Sequence, residues 1–338
     1  MNGSPVLFQM AMAVVAIGGA SAVTQAHDAG RPQPQAVFTF QDSTIGESSG
    51  LVSDGDHVLT MNDSGAGPEV YVVDRSTGET VGRTTYSGDE VVDVEAMAPG
   101  LHHTLWVGDI GDNSWNRTSV AVYELPMPTA GDRTVQSRRY DLVYQDGPRD
   151  AETLVVQPRT GRLYVVSKGL FGGKVYAAPP KLSTDHANVL RPVAGVGGLI
   201  TDGAFFPDGR HVALRSYGNL TVLATKGWRD VDGMKLPDQQ QGEGLAMEPS
   251  GHEVLLSSEG AGTDVLRLPL SKGILARTAP PEPEVSASGS LDAGASGRQA
   301  SSSESSEPHP TPWWQAAALA AVTLAAALAV RALFRRRT

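Results

Sequence analysis

The chain repeats itself five times, and this constrains its fold more than any other property of the sequence. Five segments open alike: Glu47-Ser-Ser-Gly50-Leu51, Asp93-Val-Glu95-Ala96-Met97, Asp150-Ala-Glu152-Thr153-Leu154, Thr201-Asp202-Gly203-Ala204-Phe205 and Gln241-Gly-Glu243-Gly244-Leu245. In each, a small residue precedes a large apolar anchor, usually with an acid just ahead. A strand-like run then follows and ends at Gly65, Gly111, Gly169, Gly218 or Gly260, with Asp63, Asp109, Ser167, Ser216 or Ser258 two residues earlier. Anchor and glycine stand 13 to 15 residues apart, whereas successive anchors are 40 to 57 apart. A constant core with variable connections marks a repeated structural unit with loop insertions.

Each unit holds a third β-type run, at residues 70–73, 120–123, 175–177, 220–223 and 265–268. Fourth runs stand at 80–86 and 139–144, with weaker ones near 189–196 and 231–236, and the fifth unit has none. Ala36-Val-Phe-Thr-Phe40, ahead of the first unit, can pair in its place and close a ring. The sequence therefore predicts an all-β chain, a five-bladed β-propeller over residues 36–278. A sixth blade stays open because the second unit spans 57 residues. A β-sandwich ranks lower, since sandwich strands do not share one motif five times. There is no cysteine, which excludes disulfides, thiol catalysis and zinc-cysteine sites.

The two ends read differently. Val6 to Ala22 is apolar and leads to the small-residue patterns Ala20-Ser21-Ala22 and Thr24-Gln25-Ala26, so residues 1–26 are expected to be a signal peptide. Residues 279–312, rich in Pro, Ser and Glu, are expected to form a disordered stalk. Residues 313–334 are apolar apart from Gln315, Thr323 and Arg331, which predicts one transmembrane helix. Trp313 and Trp314 fit the outer interface, and Arg335, Arg336 and Arg337 in the tail (335–338) fit the cytoplasmic side. The expected location is the cell membrane, with the propeller outside. Between signal and anchor stand 23 basic and 37 acidic side chains, net −14. That balance argues against a nucleic-acid partner. A monomer is expected.

In an antiparallel pair the start of one strand lies beside the end of the next, so the opening acids and the closing Asp or Ser residues should meet at one mouth of the channel. Convergent carboxylates must bind a cation, keep a proton or pair with a base. Oxygen ligands with no cysteine favour Ca²⁺, with Glu95, Glu152, Glu243 and Asp63 as the expected ligands. The alternative is that these acids accept N–H groups from a neighbouring blade, with no cofactor. Lys168 and Arg215 form a basic sector that could hold a small anionic ligand, or could pair internally with Glu152 and Asp202. The loop Gly108-Asp109-Ile110-Gly111-Asp112-Asn113-Ser114-Trp115 reads either as ligand-contacting, through Asp109, Asp112 and Asn113, or as an Asx-rich turn. Neither a nucleophile elbow nor a P-loop is present.

Two stretches carry a family resemblance: Gly242-Glu243-Gly244-Leu245 with Leu255-Leu256-Ser257-Ser258-Glu259-Gly260, and Glu47-Ser-Ser-Gly50-Leu51 with Asn62-Asp63-Ser64-Gly65. In these the chain resembles bacterial secreted propellers of the esterase-like phytase type, and related bacterial propellers with Asp-x-Glu-Ala and Gly-Asp-x-Gly-Asp-Asn segments. The resemblance implies calcium and ester or phosphoester hydrolysis, and it transfers no catalytic residue. Three readings follow: a propeller that binds a ligand or partner at its acidic mouth, a Ca²⁺-dependent hydrolase, and a cell-envelope interaction platform.

Overall fold

The computed structural model describes residues 32–63, 67–87 and 91–279. All of these belong to the first of the chain's two units, which divide after Glu282. The expected signal peptide, transmembrane segment and tail, and all of the stalk but its first residue, lie outside the described residues.

The strands run in the order β1 (Gln35–Thr39), β2 (Ser48–Asp54), β3 (His57–Asn62), β4 (Glu69–Asp74), β5 (Thr80–Tyr86), β6 (Val94–Pro99) and β7 (Thr104–Asp109). Next come β8 (Val120–Pro126), β9 (Arg133–Val135), β10 (Arg138–Tyr144), β11 (Ala151–Val156), β12 (Leu163–Ser167), β13 (Gly173–Ala177) and β14 (Asn188–Val196). The last are β15 (Ile200–Phe205), β16 (His211–Ser216), β17 (Asn219–Ala224), β18 (Arg229–Lys235), β19 (Leu245–Met247), β20 (Glu253–Leu256) and β21 (Asp264–Pro269), followed by helix α1 (Lys272–Thr278).

Hydrogen bonding sorts these strands into five antiparallel units: β2-β3-β4-β5, β6-β7-β8-β10, β11-β12-β13-β14, β15-β16-β17-β18 and β19-β20-β21-β1. The first strands touch in a closed cycle, β2 to β6 to β11 to β15 to β19 and back to β2. The architecture is all-β and propeller-like. The N-terminal strand supplies the missing fourth strand of the last unit, with Ala36 paired to Leu266 and Thr39 to Asp264.

Strand alternation explains why the units need one another. Successive residues of a strand face opposite sides, so each sheet buries two faces only if it has a neighbour on each. Val58 and Leu59 enter different cores, as do Val165 and Val166. Five apolar clusters result, each shared by two adjacent units; one joins Leu51, Val58 and Tyr71 of the first unit to Phe38, Leu255 and Val265 of the last. Burying each such side chain contributes roughly 1.5–3 kcal/mol.

Outer edges are covered in three ways. The extra length of the second repeat goes partly into β9, which pairs in parallel with β5 on the first unit. Strands β10 and β14 pair in parallel, joining the second and third units edge to edge. Helix α1, not expected from the sequence, packs on β18 with Ile274 buried, and its N-cap Ser271 Oγ accepts the Ile274 N–H at 3.2 Å. Each device satisfies or shields an edge that would otherwise template aggregation.

Candidate functional site

The register brings the two recurring ends of the repeat together. Val94 pairs with Asp109, Ala151 with Ser167 and Ile200 with Ser216, all at one end of the ring. A bulge interrupts the first strand pair of four units, leaving Gly50, Glu95, Glu152 and Thr201 without a partner in the ladder. A bulge re-aims the side chain of the extra residue, and two of these four residues are acidic. Gly50 has φ of +63°, and a Cβ there would stand 2.8 Å from the Met97 backbone nitrogen of the next unit, so only glycine fits. In the fourth unit, Gly203 pairs as Met97 and Leu154 do, and the apolar Phe205 stands two residues further along the strand. Asp202 accordingly does not occupy the repeat position of Glu95 and Glu152.

Carboxyl oxygens of Asp63, Asp93 and Glu95 lie within 4.8 Å of one another. Glu95 is 3% exposed. Burial, reinforced by the charges of Asp63, Glu152 and Asp93, pushes its carboxyl up to about 11. Burial and the charges of Asp63 and Asp150 raise Asp93 as well. A Cβ at Gly111 would overlap the Asp93 carboxyl and stand 2.6 Å from Glu95 Oε1, so the glycine keeps this pocket open.

Across the mouth, Lys168 Nζ donates to Glu152 Oε1, while Glu152 Oε2 is buried with no hydrogen-bond partner. Burial pushes Glu152 up to about 8, although Lys168 opposes the shift. Burial disfavours charge on Lys168, yet Glu152 outweighs it and the ammonium is held above its ordinary value. Tyr217 donates its hydroxyl to Glu243 Oε1 at 3.1 Å. Burial raises Glu243 against the pull of Lys168, and raises Glu259, beside Glu243 and Asp63, to about 7.

Of the four expected cation ligands, Asp63 and Glu95 join Asp93 in one cluster, while Glu152 and Glu243 are not members of it; they and Lys168 are linked to it only through their charges. Arg215 has a different role. It is fully buried and donates Nη1 to the carbonyls of Gly244 and Ser257 (2.8 Å to Ser257), and Nη2 to Gln239 Oε1 at 2.6 Å. It thus clamps the fourth unit to the fifth.

Asp109 and Asp112 hold the loop that follows β7. Asp109 Oδ1 accepts from Arg117 at 2.8 Å and from the Asp93 N–H at 2.9 Å. The Asp112 carboxylate accepts the Asn116 and Arg117 N–H groups at 2.9 Å each. This is the Asx-type turn, with Asn113 exposed on it.

Sequence reasoning missed the apolar rim. Val92, Leu170, Phe171 and Tyr217 are exposed, with Phe171 fully so; Val92 precedes Asp93, Leu170 and Phe171 follow Lys168 and Gly169, and Tyr217 donates to Glu243. A Gly-Leu-Phe-Gly-Gly run directly after Lys168 was the available signal: two large apolar residues held between glycines at a strand end.

No protein-family model and no curated protein matches the sequence. Many solved structures are similar, two enzymes among them. One is the PQQ-bound aldose sugar dehydrogenase of Streptomyces coelicolor, 11% identical over 71% of this chain and 98% of that one, with a TM-score of 0.42. The other is a gluconolactonase of Xanthomonas campestris, 17% identical over 73% of this chain and 94% of that one, with a TM-score of 0.43. Neither likeness bears on the chemistry of the mouth described above.

Proposed function

We propose that this chain is a five-bladed β-propeller that binds Ca²⁺ at its carboxylate mouth, and through it a small anionic ligand. Its anchor would be the apolar segment 313–334, with the propeller outside the cell membrane. One observation carries the cation reading: Asp63, Asp93 and the buried Glu95 present oxygens within 4.8 Å of one another. Ca–O bonds are roughly 2.3–2.6 Å, so two ligands on opposite sides of one ion stand about 4.8 Å apart. With the ion bound, Asp93 and Glu95 would ionise and Lys168 would supply the basic edge for an anion. The test is calorimetric titration of the full-length chain with Ca²⁺. Saturable binding that Glu95→Gln abolishes supports the reading, and equal heats for both proteins refute it.

A second reading, hydrolysis of phosphate or carboxylate esters, draws on Glu152. Its carboxyl, lifted to about 8, stands beside Lys168 with one oxygen unpartnered, and such a group can exchange protons near neutral pH. Turnover of p-nitrophenyl phosphate or acetate that is lost in Glu152→Gln would favour hydrolysis. Calcium binding without turnover leaves the binding function alone.

A further inference from the structure

The opposite end of the channel differs chemically from the carboxylate mouth. There the far ends of the five first strands enclose a cavity of about 250 Å³, to which each unit contributes an apolar side chain: Val52, Met97, Val156, Phe205 and Met247. Four of the five strands end near a proline, Pro99, Pro158, Pro207 or Pro249, which removes a backbone donor from the wall. Most of its wall is apolar, and apolar cavities of about 150 Å³ are known to accept benzene. This one has room for a fused pair of rings.

Two polar side chains, Ser53 and Glu248, interrupt the largely apolar wall. Glu248 lines the cavity, and its Oε1 accepts from Arg75 Nη2. Both terminal nitrogens of Arg75 are engaged, since Nη1 also reaches Ser53 Oγ at 3.2 Å and the Gly55 carbonyl at 3.4 Å. The guanidinium therefore neutralises Glu248 and leaves the cavity no free positive charge to attract an anion. What remains is the Glu248 carboxylate, already paired to Arg75, at the edge of a mainly apolar chamber.

We infer that this basal cavity binds a compact planar apolar molecule carrying one hydrogen-bond donor, of the indole or phenol class. Ring faces pack against the five strand ends, and the donor meets Glu248. The site is separate from the carboxylate mouth and needs no metal.

The experiment is a ¹⁹F NMR titration of 5-fluoroindole with the full-length chain, with toluene as the ring probe lacking a donor. Two variants plug the chamber at half-buried lining positions, Ala204→Phe and Ser53→Phe. Saturable binding is expected with a dissociation constant near about 1 mM or tighter. Both variants should weaken it at least about tenfold, because the added ring occupies the ligand's volume. Toluene should compete, but less well than unlabelled indole. Affinity unchanged in either variant that melts like the parent protein would overturn the site. Toluene competing as well as indole would overturn the role of Glu248.

Discussion

Asp202 accepts the backbone N–H of Leu245 at 2.6 Å, so a carboxyl at the start of the fourth unit holds the first strand of the fifth. Its other oxygen accepts the Gly203 N–H at 2.7 Å. Burial lifts the Asp202 carboxyl well above the ordinary range despite these two donors and nearby Arg215. Similar stitches join other neighbours: Ser49 Oγ donates to the Glu95 carbonyl at 2.8 Å, and Asp150 accepts the Asp112 N–H at 3.0 Å. Acids of this repeat therefore serve two ends, some tying units together and some facing the channel.

Asp202→Ala is expected to destabilise the protein by about 2–4 kcal/mol, since two buried N–H groups lose their acceptor. Asp202→Asn, which keeps one carbonyl oxygen, should cost less. Urea unfolding of both variants checks the order; equal losses would mean that the acceptor role is not what matters.

Ring closure rests on β1. Phe38→Ala removes a nearly buried ring from the cluster shared by the first and last units. A loss of about 3–5 kcal/mol is expected. Differential scanning calorimetry reads it, and a shift no larger than that of an exposed substitution would show that closure carries little of the stability.

Without calcium, stability should fall as pH rises from 5 to 8. The carboxyls of Glu95, Glu152 and Glu259 have folded values of about 11, 8 and 7, all above the ordinary value of 4.5. Above that value the unfolded chain has released these protons while the folded chain retains them, so each further rise in pH favours unfolding. Melting temperatures measured in chelator across this range test the sign. A rising curve would contradict the buried, protonated state of these groups.

Calcium should invert that slope, because its ligands must lose protons to bind and the ion stabilises only the native state. Glu95→Gln is expected to do two things at pH 8: raise the melting temperature in chelator, by removing an ionisable group from a buried site, and abolish the response to calcium. Retention of the full calcium response in this variant would move the ion away from Glu95.

Much of this organisation is legible in the sequence, because spacing and turn chemistry are local properties. The five anchors, the closing glycines and the Ala36–Phe40 strand that completes the last unit all announce themselves along the chain. So does the meeting of opening acids with closing Asp and Ser residues, since antiparallel pairing dictates it. Tertiary structure alone decided the rest. It shifted the fourth unit's register so that Asp202 stitches strands, and it placed Glu95 and Glu152 at bulges. It buried Arg215 as a clamp, and it enclosed an apolar chamber at the far end of the channel. Burial, bulge position and cavity shape depend on how five sheets pack around one axis, and residues on different units set each of them jointly. A linear repeat states which residues recur; the closed ring determines which of them meet water, a charge or one another.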